Sequence, residues 1–570
     1  MKTRRHMPAL LAAALALATL AFTASCTKTP APEPFTAQLD DIDGAMFFAS
    51  LQHPKLIVQG LNKLTAEIPE ASFLTMLLAA RAGQFGYPEF TDIAPGANIG
   101  LYLPVQPLDE LKHGTTPPIL IIKLKENGKI WNLLVKQAGM SAKKIGDWTM
   151  FAQNDADFAS VKNPAALTAR LAAPQTENIR LWARLNGETA AAYETALNDT
   201  IAKTLAQSKL PAPEKTAFTA YARALLGELL TSTHSAHATL NLGDTGLRLS
   251  YGAQFKPDSP AGTALRYRSH ATPTVAQYIT NDTLYSGVVR MTPKAIEDYS
   301  NHLTDLILKV DYPPISEPLA KLKQDTAFMN KQMDGTYAAT ANLDMNLDFK
   351  NPRASKNHPD YFYVYSGKFD ERSLPPLRNA FDIAKKFADQ ILAFAREKTG
   401  PDMPALAITN EPNALTIDGA KFDAFTLDVT NAKLDMPSLT VRYYYGIAGG
   451  NMILATKEET LKTRLPALLA RKKLPNNVAD ANPLQPYEMM NFSINGAPLT
   501  DLVTKITKLD LTDTDNQSAI ADIKDAYKQT TPVRTILTAR QADATITIDI
   551  PYKFVAASVR LGRYVYSIKN

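Results

Sequence analysis

Three short polar motifs in the 570-residue chain contain residue types that serine hydrolases use. They are SAKK at residues 141–144, SKN at residues 355–357 and KTG at residues 398–400. On a helix, side chains three residues apart lie next to each other, so a lysine there could accept the proton of the serine. The chemistry that such a set would perform is nucleophilic attack by the serine oxygen.

In this order the motifs resemble those of the penicillin-binding proteins and β-lactamases, which implies a hydrolase of the cell envelope. The predicted surroundings argue against that function. The nucleophile of that family begins a helix, whereas Ser141 is followed within five residues by a Gly-Asp turn and a predicted strand. Lys398 ends a long predicted helix that Gly400 terminates, although the third motif should lie on a strand. We therefore predict that the chain is not an enzyme, with a hydrolase as the least favoured alternative.

Metal and cofactor motifs are equally weak. His234 and His237 are three residues apart, but alternation predicts a strand there, which turns the two side chains to opposite faces. Two groups of aspartates lack the glycine and the distal glutamate of a calcium loop. They are Asp40, Asp41, Asp43, Asp510, Asp513 and Asp515. Helix capping or solvated turns are the favoured interpretation, weak calcium binding is the alternative, and no metal or cofactor is predicted.

Two tyrosine-rich segments, at residues 361–365 and 443–445, could stack on sugars or bases. Strands favour aromatic residues in any case, so a structural role is the preferred interpretation. No dinucleotide or phosphate-binding fingerprint accompanies these segments.

The composition, with 45% hydrophobic and 21% charged residues, is that of a globular protein. Without the three basic residues of the first 25 positions, 58 basic residues face 56 acidic ones, a balance of +2. A nucleic-acid partner would require a concentrated basic surface, so none is predicted.

Cys26 is the single cysteine, and it follows a segment with the features of a secretion signal. Residues 1–25 begin with basic residues, continue with an apolar core at residues 10–22 and end with small residues. A core of about a dozen residues is too short to span a bilayer of roughly 30 Å as a helix. We therefore predict that residues 1–25 are a signal peptide.

A cysteine at this place resembles the bacterial lipobox, which implies that a lipid is attached to Cys26 and anchors the protein in a membrane. Thr23 stands where the lipobox usually has leucine, and an ordinary secreted protein cut near Ala24 is the alternative. Residues 26–38 contain three prolines and are predicted to be an extended tether. In Gram-negative lipoproteins an aspartate after the cysteine retains the protein at the inner membrane. Thr27 stands at this place, so the resemblance implies the outer membrane, with the protein facing the periplasm.

The rest of the chain repeats one rhythm, in which a short apolar strand precedes a turn and an amphipathic helix. The repeats begin near residues 45, 178, 284, 361 and 489, and three of them continue with a second helix and a β-hairpin. This predicts an α+β fold of antiparallel sheets with helices on one face. The predicted domains are a first half at 39–265, a short connecting unit at 275–350 and a second half at 355–570, with the two halves related by duplication.

This rhythm resembles large Gram-negative envelope lipoproteins with duplicated domains of unknown function. The resemblance implies a lipid-anchored envelope protein and transfers no catalytic residues. The leading prediction is a non-enzymatic binding or scaffolding module with an unknown protein or apolar ligand. The alternative is a carrier that holds an apolar ligand or lipid between the halves.

Overall fold

The structure is a computed structural model. It describes residues 45–69, 72, 76, 90–104, 118–185, 187–206, 212–266, 271–310, 313–346, 356–383, 385, 405–430, 439–496, 498–500 and 514–569. The predicted signal peptide, the tether and Cys26 lie outside the described residues.

Eighteen strands of the described residues form one sheet, in which neighbouring strands are antiparallel. The strands are β1 (Ala45–Leu51), β2 (Ile99–Pro104), β3 (Ile119–Ile122), β4 (Ser141–Ile145), β5 (Trp148–Ala152), β6 (Ile179–Arg184), β7 (Thr233–Leu242), β8 (Gly246–Phe255), β9 (Tyr285–Arg290), β10 (Met333–Asn346), β11 (Lys356–Gly367), β12 (Ala405–Ile417), β13 (Ala420–Thr430), β14 (Leu439–Ala448), β15 (Asn451–Ala455), β16 (Glu488–Ile494), β17 (Val533–Arg540) and β18 (Asp543–Pro551). The predicted α+β class and antiparallel pairing are confirmed.

The pairings place the strands in one continuous order. From edge to edge it is β4–β5–β3–β2–β1–β6–β7–β8–β18–β17–β16–β9–β10–β11–β15–β14–β13–β12. Strand β18, near the end of the chain, therefore pairs with β8 of the predicted first half. Strands β9 and β10 of the predicted connecting unit lie between β16 and β11.

Helices connect the strands. They are α1 (Pro54–Glu67), α2 (Lys129–Asn132), α3 (Pro164–Ala172), α4 (Gly187–Ala206), α5 (Ala212–Ser232), α6 (Pro260–Arg266), α7 (Pro293–Leu308), α8 (Pro313–Gln332), α9 (Glu458–Leu469), α10 (Val478–Ala481), α11 (Thr514–Lys528) and α12 (Tyr552–Lys569). A further helix spans residues 374–383.

Local sequence explains where several helices begin. Pro54 and Pro293 each occupy the first turn of a helix, where the missing N–H has no partner to lose. The Asn163 side chain accepts a hydrogen bond of 3.1 Å from the backbone N–H of Ala166 and so caps α3. These residues therefore account for where α1, α7 and α3 begin.

Three chain segments share an element order. The orders β6–α4–α5–β7–β8 and β9–α7–α8–β10–β11 are the same, and β16, α11, β17 and β18 follow a similar one. In each segment the three strands are neighbours in the sheet. The second helix and hairpin predicted after residues 178 and 284 are thus present, whereas duplication of the halves stays a prediction.

The sheet has two faces, which we call face A and face B. Face A carries Leu181, Tyr251 and Val289, and face B carries Trp182 and His237, because directly paired residues lie on the same face. On the flanks of the sheet both faces are apolar: all five residues of β5 are buried. In the middle, β7, β8 and β18 alternate apolar side chains on face A with polar ones on face B.

The sequence predicted helices on one face of the sheet, but in the structure helices pack on both faces. On face A, Val58 of α1 packs near Phe151, and Phe554 of α12 packs near Ile548. On face B, Leu171 of α3 joins the cluster around Trp182, and a second cluster involves both α9 and α10. The reason is that flanking strands with two apolar faces must be covered twice.

Candidate ligand-binding site

The described residues do not assemble the serine-hydrolase motif. Ser141 and Lys144 lie on strand β4, three residues apart, so their side chains point to opposite faces. Ser355 and the KTG motif at residues 398–400 lie outside the described residues. The strand that the sequence predicted after the Gly-Asp turn is present as β5, whereas the strand that contains Ser141 itself, β4, was not predicted.

The two candidate metal-binding histidines are not brought together either. His234 and His237 lie on β7, where the predicted alternation holds. Five of the six aspartates, and the side chain of Asp515, lie outside the part of the chain that the structure describes. Within the described ranges, no group of three or more histidine, cysteine, aspartate or glutamate side chains could hold a metal.

His237 instead belongs to a polar contact across three strands of face B. Its Nε2 lies 3.2 Å from the Thr545 hydroxyl oxygen, which donates a hydrogen bond of 2.9 Å to Asp543. Gly252 of β8 lies between them, paired with His237 on one side and with Thr545 on the other. Burial lowers the pKa of His237, and the Asp543 charge partly offsets this. The contact joins β7 to β18 and leaves no room for a substrate between its members.

The tyrosine-rich strands belong to packed regions. Tyr337 and Tyr365 pair across β10 and β11 with ring centroids 5.1 Å apart, and Tyr285 stacks on Phe492 at 4.9 Å. Burial, with smaller contributions from neighbouring tyrosines, raises the pKa of Tyr363 to about 12 and also raises the pKa of Tyr337. These rings fill face A, which supports the structural interpretation over stacking on a ligand.

A hollow of about 290 Å³ lies beside β9, β16 and α11. Its polar groups already have partners. The Asp282 carboxylate accepts from Arg464 at 3.2 Å, Lys528 donates to Asp525 at 2.8 Å, and the Asn495 amide donates to the carbonyl of Thr283 at 2.8 Å. A ligand would have to break these contacts, so the hollow is a weak candidate.

The strongest candidate is on face A, where the registers align one apolar side chain from each of fourteen strands. Each of these side chains is paired with the next across the sheet. The row consists of Phe151, Leu120, Leu101, Ala49, Leu181, Ala238, Tyr251, Ile546, Leu537, Met490, Val289, Tyr337, Tyr365 and Met452. We call it the apolar row.

Burial along the apolar row is uneven. Phe151 and Val289 are fully buried, since helices cover the row at both of these places. Between them, Leu181 is 36% exposed and Tyr251 is 38% exposed, although both lie in the middle of a wide sheet. Large apolar side chains on an interior strand are normally covered, so this stretch of face A lacks a packing partner among the described residues.

The uncovered part extends over three neighbouring strands and is called the open strip. None of its side chains is buried, none is charged, and the tyrosine hydroxyl is the one polar group among them. The open strip consists of Ile179, Leu181, Ala183, Ala236, Ala238, Leu240, Leu249, Tyr251 and Ala253. On the opposite face of the same strands, Trp182 and His237 are buried. In these three strands the apolar face A is therefore the more exposed one, and face B, which carries polar residues such as His237, is the more buried one.

Two helices form the border of the open strip at the hairpin end of β7 and β8. Gly60 of α1 lies against Leu242, where a β-carbon would meet the leucine side chain. Phe554, Ala557 and Leu561 of α12 pack with Ile548 and Ile550 of β18. Helix α12 also contacts both α1 and β8. The strip is therefore an apolar floor next to a wall of two helices.

The sequence predicted a strand around His234 and His237, but it did not predict the open strip. The apolar positions of β6, β7 and β8 look like those of a covered core strand. Only the arrangement of helices around the sheet leaves them exposed, and nothing local in the sequence encodes it.

Comparison with known proteins gave no match: no protein-family model, no curated protein and no solved structure is significantly similar to the chain. Within the described residues, no helix combines the length and the apolar character that a membrane span requires. The function must therefore be argued from the site itself.

Proposed function

We propose that the protein is a non-enzymatic, lipid-anchored protein of the bacterial envelope that binds an apolar ligand, such as the acyl chain of a lipid, on the open strip. The proposal combines the lipobox-like Cys26 with the observation that carries it: Leu181 and Tyr251 are exposed in the middle of an otherwise covered apolar row. Burial of such side chains against an acyl chain is favourable because apolar surface leaves water.

The size of the open strip favours a lipid over a protein partner. Strands lie about 4.8 Å apart, and side chains on one face of a strand repeat about every 6.8 Å, so three side chains on three strands cover roughly 300 Å². A stable protein interface buries about 800 Å² on each partner. An acyl chain is thin enough to be buried on such a floor beside the wall formed by α1 and α12.

Scaffolding of another protein is the second candidate. One observation favours it: Leu225 and Leu229, one turn apart on α5, are 36% and 42% exposed. The two leucines could extend the apolar surface available to a partner. If they do, substitution of both by serine would weaken capture of a partner and leave probe binding by the strip unchanged.

The proposed function is tested with the neutral fluorescent probe N-phenylnaphthylamine, whose emission rises in an apolar site. We expect the purified full chain to bind the probe and Leu181→Asp to weaken binding at least tenfold, about 1.4 kcal/mol, because a carboxylate in the strip must be desolvated. Thr239→Asp is the matched control, since it adds the same charge to the neighbouring strand on face B.

Thermal unfolding monitored by circular dichroism shows whether both variants keep the fold. Equal probe binding by folded Leu181→Asp and Thr239→Asp proteins, or no binding by the unmodified chain, would exclude the open strip as the site.

A further inference from the structure

The border of the open strip carries positive charge. Helix α12 contains Lys553, Arg560, Arg563 and Lys569 and no acidic residue. Lys553, Arg560 and Arg563 are exposed. Spacings of seven and three residues place these three on one side of the helix. The apolar side of α12, with Phe554 and Leu561, packs on the sheet, so the basic side faces solvent.

The basic side begins near the strip, because Ile550 under α12 pairs with Leu247 of β8, two residues from Leu249 of the strip. Ile550, which packs under α12, is followed three residues later by Lys553. Within the described part of the chain, no carboxylate pairs with Lys553 or Arg560. Lys63 of the adjacent α1 is nearby in the fold but already pairs with Asp244, which is 82% exposed. Lys553 at the start of α12 and Arg560 two turns further along the helix are therefore available to a ligand, whereas the acidic Asp244 already has its own partner.

We propose that the ligand of the open strip is an amphiphile with an anionic head, whose acyl chain lies on the strip and whose head contacts Lys553 and Arg560 of α12. This inference rests on the proposed function. The uncharged open strip binds the acyl chain, and the cations of α12 bind a carboxylate or phosphate head. Charge-assisted hydrogen bonds favour such a head over a hydroxyl or an amine. The strip would thereby select among lipids of equal chain length.

The test is competition with bound N-phenylnaphthylamine by a long-chain fatty acid, by the fatty alcohol and by the fatty amine of the same chain length. We expect the ionised acid to displace the probe at a concentration at least fivefold lower than the alcohol, and the amine to be the weakest. Added salt should reduce the advantage of the acid, since charges near the surface are screened.

Charge-reversal variants test where the anionic head of the ligand binds. In Lys553→Glu/Arg560→Glu protein we expect the acid to lose its advantage while displacement by the alcohol is unchanged. Lys421→Glu is the control, an exposed lysine on β13 near the far edge of the sheet. The charge-reversed residues are exposed, so the fold should persist, and circular dichroism checks this.

The outcomes separate this inference from the proposed function. If acid and alcohol displace the probe equally, or if the double variant keeps the preference, the anionic head is disproved and the apolar site stands. If none of the three lipids displaces the probe, the site itself is disproved. If the double variant loses binding to anionic phospholipid vesicles but keeps its preference for the acid, the basic side of α12 contacts a membrane and the inference fails.

Discussion

His237 and Thr545 touch across Gly252, which separates them in the sheet without filling the space between them. The Nε2 atom of His237 on β7 lies 3.2 Å from the hydroxyl oxygen of Thr545 on β18. A β-carbon on Gly252 would lie 2.8 Å from His237 Cε1 and 2.8 Å from Thr545 Oγ1. The contact spans 308 residues of sequence and links the first half of the chain to its last strand.

Gly252→Ala should therefore destabilise the protein. The new methyl group would overlap both side chains and the backbone carbonyl of Ala544, none of which can move freely inside a paired sheet. We expect the free energy of unfolding to fall by about 1–3 kcal/mol, as for other overpacked sites. Urea denaturation monitored by circular dichroism measures this change.

Gly227→Ala is the control for that experiment. Gly227 lies within helix α5, and apart from the neighbouring backbone of that helix no atom lies within 4 Å of the position that its β-carbon would take. Alanine is the better helix former, so stability should rise by roughly 0.5–1 kcal/mol. A similar change in the free energy of unfolding of both variants would show that the contact between His237 and Thr545 does not require glycine at position 252.

The same contact predicts a pH dependence. Burial lowers the pKa of His237 below the ordinary value of 6.5 that it regains on unfolding. Between the two values the unfolded chain binds more protons than the folded one, so the free energy of unfolding decreases as the pH falls below about 6.5. We expect His237→Gln to reduce this slope when stability is measured between neutral pH and pH 5.

The control is His234→Gln, on the opposite face of the same strand. If His234→Gln reduces the pH dependence of the unfolding free energy as much as His237→Gln does, burial of His237 on face B is not the cause of that dependence. His53, whose pKa burial also lowers, should leave part of the slope in both variants.

These contacts show which parts of the architecture the sequence could predict. The hairpin predicted after the repeat near residue 178 is present as β7 and β8, and alternation around His234 and His237 predicted the first of these strands, because a strand imposes a period of two on its own residues. The pairing of β8 with β18, and of β16 with β9, depends on chain segments far apart, for which no local pattern exists. The open strip could not be predicted for the same reason, since coverage by a helix is a property of the assembled layers.

The pair Arg378–Asp423 allows a prediction on the other flank of the sheet. Arg378, in the helix of residues 374–383, donates to both carboxylate oxygens of Asp423, at 2.5 and 3.0 Å. Asp423 is 1% exposed and also accepts a hydrogen bond of 2.8 Å from the backbone N–H of Asn413. Arg378→Leu leaves a buried carboxylate without its cation, which should cost about 3 kcal/mol.

Adding Asp423→Asn to Arg378→Leu should recover part of that loss, because a neutral amide needs no counter-ion. Arg372→Leu is the matched control. Its pair with Asp370 lies on the surface of the adjacent turn, and loss of such a pair should give no measurable change. If Arg372→Leu destabilised the protein as much as Arg378→Leu, the loss would not come from a buried charge.

The final prediction concerns attachment to the membrane. With the predicted signal peptide removed, the remaining chain is nearly neutral, with 58 basic and 56 acidic residues. The lipid proposed on Cys26 should then be the main anchor, since two or more acyl chains bind a membrane stably. Cys26→Ser should release a folded protein into the soluble fraction, which fractionation and mass spectrometry of the N-terminus would detect. A Cys26→Ser protein that stays in the membrane fraction after a salt wash would disprove the anchor. If the variant leaves the membrane only when salt is added, the basic side of α12 contributes to attachment.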